Sequence, residues 1–244
     1  MKIIDLHAHI RRDYDRREYV TKEQMEDMEK NGINLRMISA LRGRNVHEQN
    51  EFVLKFCKAH GQFLPCAVLN PKAEDCPEEL DWLEKTGEFR AVELDPLEHG
   101  YIPEITPNID ELFELCESRG LFIKLMTGHG DRTLPGQWEY YIRRHPGTRV
   151  VLLHLGGMWD GYSTIETAKR YPNVWLDTSE CFELSLFRAA LKAVPKEKIL
   201  FGSGFPGRFT ECSLTFFDSF SELAEGDKEK FLYKNAAALL GMEE

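Results

Sequence analysis

The sequence predicts an α/β fold, a single (β/α)8 (TIM) barrel that spans residues 1–244. Eight apolar runs of strand length recur along the 244 residues, with stretches of helical period between them. Strands that alternate with helices at this spacing are typical of parallel β/α units. Eight such units in about 250 residues match the size of a closed barrel. No linker, repeat or low-complexity segment interrupts the pattern, so we predict one domain.

Each strand of the predicted barrel is a short apolar run. In chain order the runs are residues 3–6, 35–41, 63–69, 91–94, 121–126, 150–155, 174–176 and 199–201. The main alternative is an open doubly wound sheet, which carries a glycine-rich phosphate loop after its first strand. Here the first strand ends in His7-Ala8-His9 instead, which favours the barrel.

Helices are predicted between the strands from periodicity and from stop signals. The segments with the clearest helical period are residues 22–30, 46–58, 109–118 and 164–170, and a last helix over residues 228–240 is expected to pack across the barrel. Gly32, Gly61 and Gly120 each follow a helical stretch and precede a strand, where a left-handed cap is expected. Asn108, followed by acidic residues, is predicted to cap the start of segment 109–118.

Composition and charge narrow the classes of function. No apolar stretch approaches the roughly 20 residues that cross a bilayer, and Asp5 comes too early for a signal peptide, so we expect a cytoplasmic protein without a membrane partner. A net charge of −10 argues against nucleic acid as a partner. The six cysteines form no CxxC pair, which argues against a zinc ribbon or a disulfide framework. The oligomeric state stays open, and a homo-oligomer is possible.

Three histidines lie where a barrel of this kind carries its active site, at the C-terminal ends of strands. His7 and His9 end the first strand two residues apart, so both imidazoles should point to the same side. His154 ends the sixth predicted strand. Imidazoles held together at a barrel mouth suit a divalent metal such as zinc or manganese. The alternative is a set of solvated histidines that follow strands.

The chain resembles a known family at several of these positions. Residues 4–9 (IDLHAH) resemble the opening of the amidohydrolase superfamily. The similarity runs nearly end to end to the branch that contains aminocarboxymuconate semialdehyde decarboxylase, resorcylate decarboxylases and lactone hydrolases. Further matches are residues 154–157 (HLGG), 173–179 (NVWLDTS), 199–206 (ILFGSGFP) and 235–237 (NAA). The resemblance implies an amidohydrolase-like barrel and a metal-dependent hydrolase or decarboxylase of a small carboxylate or cyclic ester or amide.

Two residues depart from the family pattern. Gly204 stands where the pattern has an Asp that binds metal and moves the proton of the nucleophilic water. Met126 stands where the fifth strand ends in a metal-binding His, and a thioether is a poor ligand for a hard divalent ion. The metal site is therefore expected to be incomplete and to lack its usual general base.

Other residues are candidates to replace the missing ligands. Glu93 ends the fourth strand, where TatD-type relatives place a metal-binding Glu, so the predicted metal set is His7, His9, Glu93 and His154. His129 follows Met126 by three residues and can swing in from the loop. His154 and His129 are also the predicted catalytic residues.

A third arrangement replaces the metal itself. Lys124 has the parity of Met126, so its side chain should enter the barrel, where a lone ammonium is costly. Glu93 on the adjacent strand is its natural partner, and the pair would supply positive charge without a metal. The alternative is a local change of register that turns Lys124 outward. If a proton shuttle is needed, Asp177 and Glu180 are further candidates.

Arginines follow several strand ends and indicate the class of ligand. Arg42, Arg44 and Arg208 are the predicted substrate-binding residues, because guanidinium groups clamp carboxylates and phosphates. The predicted partner is thus a small anionic molecule, although arginine is also common in exposed loops. Three functions stay open: a metal-dependent hydrolase or decarboxylase, a metal-free inactive barrel that binds an anion or a partner, and, less favoured by the charge, a nuclease.

Overall fold

The computed structural model describes residues 1–13, 15 and 17–242, and its eight parallel strands follow one another in one sheet from β1 to β8. The strands are β1 (Ile4–Arg11), β2 (Leu35–Leu41), β3 (Phe63–Leu69), β4 (Ala91–Leu94), β5 (Phe122–Leu125), β6 (Arg149–Leu152), β7 (Val174–Asp177) and β8 (Ile199–Leu200). Backbone bonds from Leu6 to Phe201 (3.0 Å) and from Gly204 to His7 (2.8 Å) join the last strand region to the first. The sheet therefore curls into a nearly closed barrel, which confirms the predicted fold class.

Helices follow the strands around the outside of the sheet. They are α1 (Lys22–Asn31), α2 (Val46–Ala59), α3 (Cys76–Thr86), α4 (Pro96–His99), α5 (Ile109–Arg119), α6 (Glu139–Arg144), α7 (Gly157–Arg170), α8 (Leu184–Ala193), α9 (Thr210–Ser219), α10 (Asp227–Glu229) and α11 (Asn235–Leu239). Shorter 3-10 turns cover Pro103–Ile105, Pro135–Trp138, Leu153–Gly156 and Lys196–Lys198. Of the described helices, none has the length and apolar character needed to span a membrane.

The apolar side chains form two layers on the two faces of the sheet. The larger layer lies between the strands and the helices. The smaller one includes Leu6, Met37, Phe122 and Leu200, and the α11 residues Ala236, Ala237 and Leu239 pack against it. The last helix thus packs on the barrel as predicted, which closes the end opposite to the site described below.

Four local predictions were wrong. β6 ends at Leu152, and His154 lies in the following 3-10 turn. Gly61 is no left-handed cap, because α2 ends on His60 with a φ of −136°. Asn108 does precede α5, but its own φ is 62° and its amide donates to Pro71 O (2.9 Å) instead of capping the helix. The last helical segment is interrupted by a π-helical stretch, Lys230–Lys234.

Candidate metal centre at the barrel mouth

A β-bulge sets the direction of the histidines in β1. The register of β1 against β2 shifts between Asp5 and Ala8. Below the shift Leu6 belongs to the smaller apolar layer, whereas above it Ala8 belongs to the layer under the helices. The bulge therefore turns His7 and His9 into the barrel without exposing the apolar residues beneath them. Both rings contact Glu93, so they do point to the same side.

Glu93 is the centre of what we call the inner cluster, formed by His7, His9, Ser39, Glu93 and Lys124. Its Oε1 lies 2.8 Å from His9 Nε2, and its Oε2 accepts hydrogen bonds from Ser39 Oγ (3.0 Å) and Lys124 Nζ (2.9 Å). Lys124 is only 1% exposed. It enters the barrel and pairs with Glu93 as its parity predicted, and the outward alternative was wrong.

Electrostatics keep the inner cluster in one charge state. Burial alone would raise the pKa of Glu93, but Lys124 and the two histidines hold it well below its ordinary value. Burial opposes the charge of Lys124, yet Glu93 outweighs it and the pKa of Lys124 is raised. Burial, followed by the nearby ammonium, lowers the pKa of His7. At neutral pH the cluster thus combines one ammonium, one carboxylate and a neutral His7.

The ammonium occupies the place of a cation, so the inner cluster as it stands does not fit a divalent metal. Ligand atoms of His7, His9 and Glu93 do lie within 4.8 Å of one another. However, at a separation on the order of 4 Å and an effective dielectric constant of about 20, a divalent ion and the ammonium of Lys124 would repel by roughly 8 kcal/mol. Metal binding here requires Lys124 to lose its proton or to move away.

His154 connects the inner cluster to the mouth. It has left-handed backbone (φ 64°), as does Leu155 (φ 47°), an unusual pair for residues that are not glycine. This turn places His154 Nε2 at 3.2 Å from His7 Nε2 and His154 Nδ1 at 3.3 Å from Thr127 O. Burial lowers the pKa of His154 to about 4, so its ring is neutral at pH 7.

Glycines allow the loop after β5 to bring His129 beside His154. A Cβ on Gly128 would overlap the backbone of Gly156, so the loop approaches the turn after β6 more closely than any other residue permits. Thr133 then fixes the loop, since its hydroxyl accepts a hydrogen bond from His129 N (2.9 Å). The rings of His129 and His154 lie 5.2 Å apart.

We call the second group of charged residues the outer cluster, formed by His129, His154, Glu180 and Arg208. Glu180 Oε2 lies 2.9 Å from His129 Nε2, and Glu180 Oε1 lies 3.2 Å from Arg208. Burial would raise the pKa of Glu180, but His129, His154 and Arg208 lower it to about 2. The close contact with Glu180 raises the pKa of His129. Ligand atoms of His129, His154 and Glu180 also lie within 4.8 Å of one another, so His154 of the predicted four-ligand set falls into this second group.

The two departures from the family pattern differ in their surroundings. Gly204 has a φ of 68°, and a Cβ there would make ordinary contacts with Arg208 (3.5 Å) and Ser179 O (3.6 Å). A carboxylate at this position would therefore extend the outer cluster. Met126 is half-buried, and its backbone N–H donates to Leu94 O (3.1 Å).

Asp177, at the end of β7, is a buried carboxylate whose two oxygens differ in their hydrogen bonding. Oδ1 accepts hydrogen bonds from Ser179 and from His154 N (3.1 Å). Within the described part of the chain, Oδ2 has no hydrogen-bond partner. Burial raises the pKa of Asp177 to about 6. Its fixed bonds to the His154 backbone mean that it supports the turn which carries this histidine.

The arginines gather at the same end of the barrel. Burial, together with the nearby Arg42 and Arg208, lowers the pKa of Arg11. Arg11 Nε is buried, and in the described ranges no group accepts from it. A neighbouring cleft of about 350 Å³ is lined by Arg12, Asp13, Arg17, Arg42, Gly43 and Arg44. The predicted Arg42 and Arg44 thus line this cleft, whereas the predicted Arg208 pairs with Glu180 in the outer cluster.

Two residues of this region were missed from the sequence. Ser39, which donates to Glu93, interrupts the apolar run of β2, and a lone hydroxyl in such a run is a usable signal. Arg17 belongs to an arginine-rich segment, residues 11–17, and lines the cleft together with Arg12. Neither could be assigned to the site before the strands were placed side by side.

Comparisons with known proteins agree with this architecture. A family model described as amidohydrolase matches residues 4–242. No curated protein sequence matches the chain. Among solved structures, a TIM-barrel protein from Bordetella bronchiseptica is 22% identical with a TM-score of 0.79, and 99% of each chain is covered.

Two further solved structures share the fold at lower identity. The 5-carboxyvanillate decarboxylase from Sphingomonas paucimobilis is 13% identical with a TM-score of 0.76, covering 99% of each chain. A dihydroxybenzoic acid decarboxylase from a Polaromonas species, with bound manganese and the inhibitor 2-nitroresorcinol, is 15% identical with a TM-score of 0.73, covering 98% of this chain and 96% of its own.

Proposed function

We propose, from the premise that this chain belongs to the amidohydrolase family, that it is a hydrolase or decarboxylase of a small carboxylate. The observation that carries the proposal is the 3.2 Å contact between His7 Nε2 and His154 Nε2, two buried imidazoles at the barrel mouth. Two structural neighbours are decarboxylases of carboxylic acids, which supports the same substrate class for this chain.

The cationic mouth supports an anionic substrate. Arg11 has a buried Nε with no acceptor among the described residues, and it lies near Arg42 and Arg208. Guanidinium groups bind carboxylates through paired, charge-assisted hydrogen bonds. In an acidic protein with a net charge of −10, such a group of arginines is a local cationic region, which favours a ligand of opposite charge.

The histidine pair supports a proton transfer. His154 is neutral, and the imidazole of His7 is held near it with an Nδ1 that lacks a hydrogen-bond partner in the described structure. A neutral imidazole accepts a proton from water in hydrolysis, and its protonated form returns one to carbon in decarboxylation. A divalent metal held by the outer residues His129, His154 and Glu180 would supply Lewis-acid polarisation of a substrate oxygen.

Of the two reactions, decarboxylation needs fewer catalytic groups at this site. Gly204 removes the carboxylate that deprotonates water in the family pattern, so hydrolysis needs a substitute base. In decarboxylation the bond to CO2 breaks, the electron pair stays on the substrate carbon, and that carbon takes one proton. Both imidazoles are neutral at pH 7, so they would relay this proton from solvent water to the carbon.

The test compares both reactions with purified, metal-supplemented protein. Release of CO2 from 2,6-dihydroxybenzoate and 5-carboxyvanillate measures the lyase, and opening of dihydrocoumarin measures the hydrolase. His154→Gln should lower the active reaction by about 10²–10⁴-fold, the usual contribution of an acid–base group. His47→Gln, a change in a partly exposed histidine outside both clusters, should leave it unaltered. Activity that is equal in the His154 variant contradicts the proposal.

A second candidate is a metal-free barrel that binds an anion without turnover. The buried pair of Lys124 with Glu93 favours it, because this pair supplies a fixed cation where relatives would hold a metal. Elemental analysis of protein purified without chelator discriminates between the two. Near-stoichiometric zinc or manganese supports the enzyme, and anion binding by metal-free, inactive protein supports the second candidate.

A further inference from the structure

We propose that His129, His154 and Glu180 form a divalent-metal site at the barrel mouth, on the solvent side of the inner cluster. Their ligand atoms lie within 4.8 Å of one another, and the two closest, His129 Nε2 and Glu180 Oε2, are 2.9 Å apart. Two imidazoles and one carboxylate form a ligand set that zinc takes in catalytic sites, with a fourth position left open. The inference shares His154 with the proposed function, but its test is separate, because metal binding is measured without turnover.

The donor atoms of the three residues suit a metal, because imidazole nitrogens and carboxylate oxygens are both zinc ligands. His129 Nε2 and Glu180 Oε2 lie 2.9 Å apart, so a bound ion would replace their mutual contact with two bonds to the metal.

The inner cluster cannot compete for the same ion while Lys124 is charged. The ammonium already holds Glu93 Oε2 at 2.9 Å and lies near His7. The cation nearest to the outer site is Arg208, which contacts the other oxygen of Glu180, Oε1, at 3.2 Å. Its side chain is 43% exposed, so it can turn toward solvent and leave Oε2 to the metal.

The outer site is also accessible and held in place. The His129 side chain is 32% exposed and Glu180 15%, which gives a hydrated ion direct access. The close approach of Gly128 to Gly156 fixes the distance between the loop of His129 and the turn of His154. A site whose ligands are already close loses little entropy on binding.

The experiment is a zinc titration of untagged protein stripped with chelator, with a chromophoric chelator as the competing ligand. Wild type should bind one equivalent. His129→Ala and Glu180→Gln should each raise the dissociation constant by at least about tenfold, since even the loss of a residue that hydrogen-bonds to a metal ligand lowers metal affinity by about 10–100-fold. His47→Ala is the matched control, because His47 Nδ1 and Glu79 Oε2 form a similar pair (2.7 Å) outside the site. This control and His9→Ala should stay close to wild type.

A variant that tightens binding guards against loss by misfolding. Arg208→Gln removes the cation next to Glu180 and should lower the dissociation constant by about threefold or more at low salt. Binding that is lost in His9→Ala but kept in His129→Ala and Glu180→Gln would place the metal in the inner cluster and overturn the proposal. Absence of zinc binding at neutral pH, or no response to any of these changes, would overturn it as well.

Discussion

Replacing Lys124 by Met tests whether the inner cluster is a desolvated ion pair. Lys124 and Glu93 are 1% and 2% exposed, and 2.9 Å separates the paired atoms. Removal of one partner of a buried pair costs about 3–5 kcal/mol of unfolding free energy. Glu93 keeps its contacts to Ser39 and His9, so we expect the lower end, about 3 kcal/mol. For a chain of this size the melting temperature should fall by roughly 6–12 °C.

The charge argument makes this cost depend on pH. In wild type Lys124 keeps the pKa of Glu93 low, so the pair is intact at pH 5 and at pH 7. In Lys124→Met, burial without the ammonium raises the pKa of Glu93, and the carboxyl takes up a proton as the pH falls. The stability loss should therefore be smaller at pH 5 than at pH 7, measured by urea unfolding at both values.

A double-mutant cycle with Glu93→Gln isolates the pair. Each single change leaves one buried charge without its partner, whereas the double variant leaves neither charge. The double variant should therefore lose about 2 kcal/mol less unfolding free energy than the sum of the two single variants. Zinc bound per chain should rise in Lys124→Met, because the inner cluster then accepts a metal. A loss below about 1 kcal/mol at pH 7, the value of an exposed pair, together with additive costs, would refute the reasoning.

Three further predictions concern single positions. Gly204 has a φ of 68°, which Asp tolerates, so Gly204→Asp should tighten zinc binding by about tenfold or more in the competition titration. Adding Met126→His should give a more than additive gain in affinity. Weaker zinc binding in Gly204→Asp would show instead that the new carboxylate pairs with Arg208. The pKa of His154, about 4, lies below its value in the unfolded chain. Between pH 6.5 and pH 4 the unfolded chain therefore binds more protons, and the free energy of unfolding should fall by about 2–3 kcal/mol as the pH falls across this range. His154→Gln should flatten this part of the curve of unfolding free energy against pH. Asp177 has the opposite sign, because its pKa of about 6 lies above its unfolded value and ionisation opposes folding; Asp177→Asn should gain stability above pH 6 relative to pH 4, and a constant difference across that range would contradict the assignment.

The sequence was sufficient for the barrel because each strand left its own local signal. The apolar run of β2, predicted at residues 35–41, is observed as Leu35–Leu41. Parity within a strand also predicted that Lys124 enters the barrel toward Glu93, since neighbouring parallel strands align such positions. The His7–Ala8–His9 spacing predicted two imidazoles on one side, although not the bulge that turns them inward.

Loop geometry set the limit of prediction. His154 follows β6 in left-handed backbone, which no local preference of His or Leu indicates. The meeting of His129 with Glu180 depends on two loops, after β5 and after β7, whose paths the strand pattern does not constrain. The signal that comes closest is Gly128, because a glycine at a strand end permits a close approach of backbone segments.

The junction of the first and last strands also bears on how the molecule folds. There Asp5 accepts hydrogen bonds from Ser203 N (2.9 Å) and Ser203 Oγ (2.6 Å), across 198 positions of chain, and from Arg36 Nε (2.8 Å). Bringing such distant segments together carries a larger entropy cost than pairing consecutive strands, so this junction should form late in refolding. Formation of this junction also brings Gly204 N within hydrogen-bond distance of His7 O. We therefore expect the mouth of the barrel to be assembled only after the last strand region has joined the first.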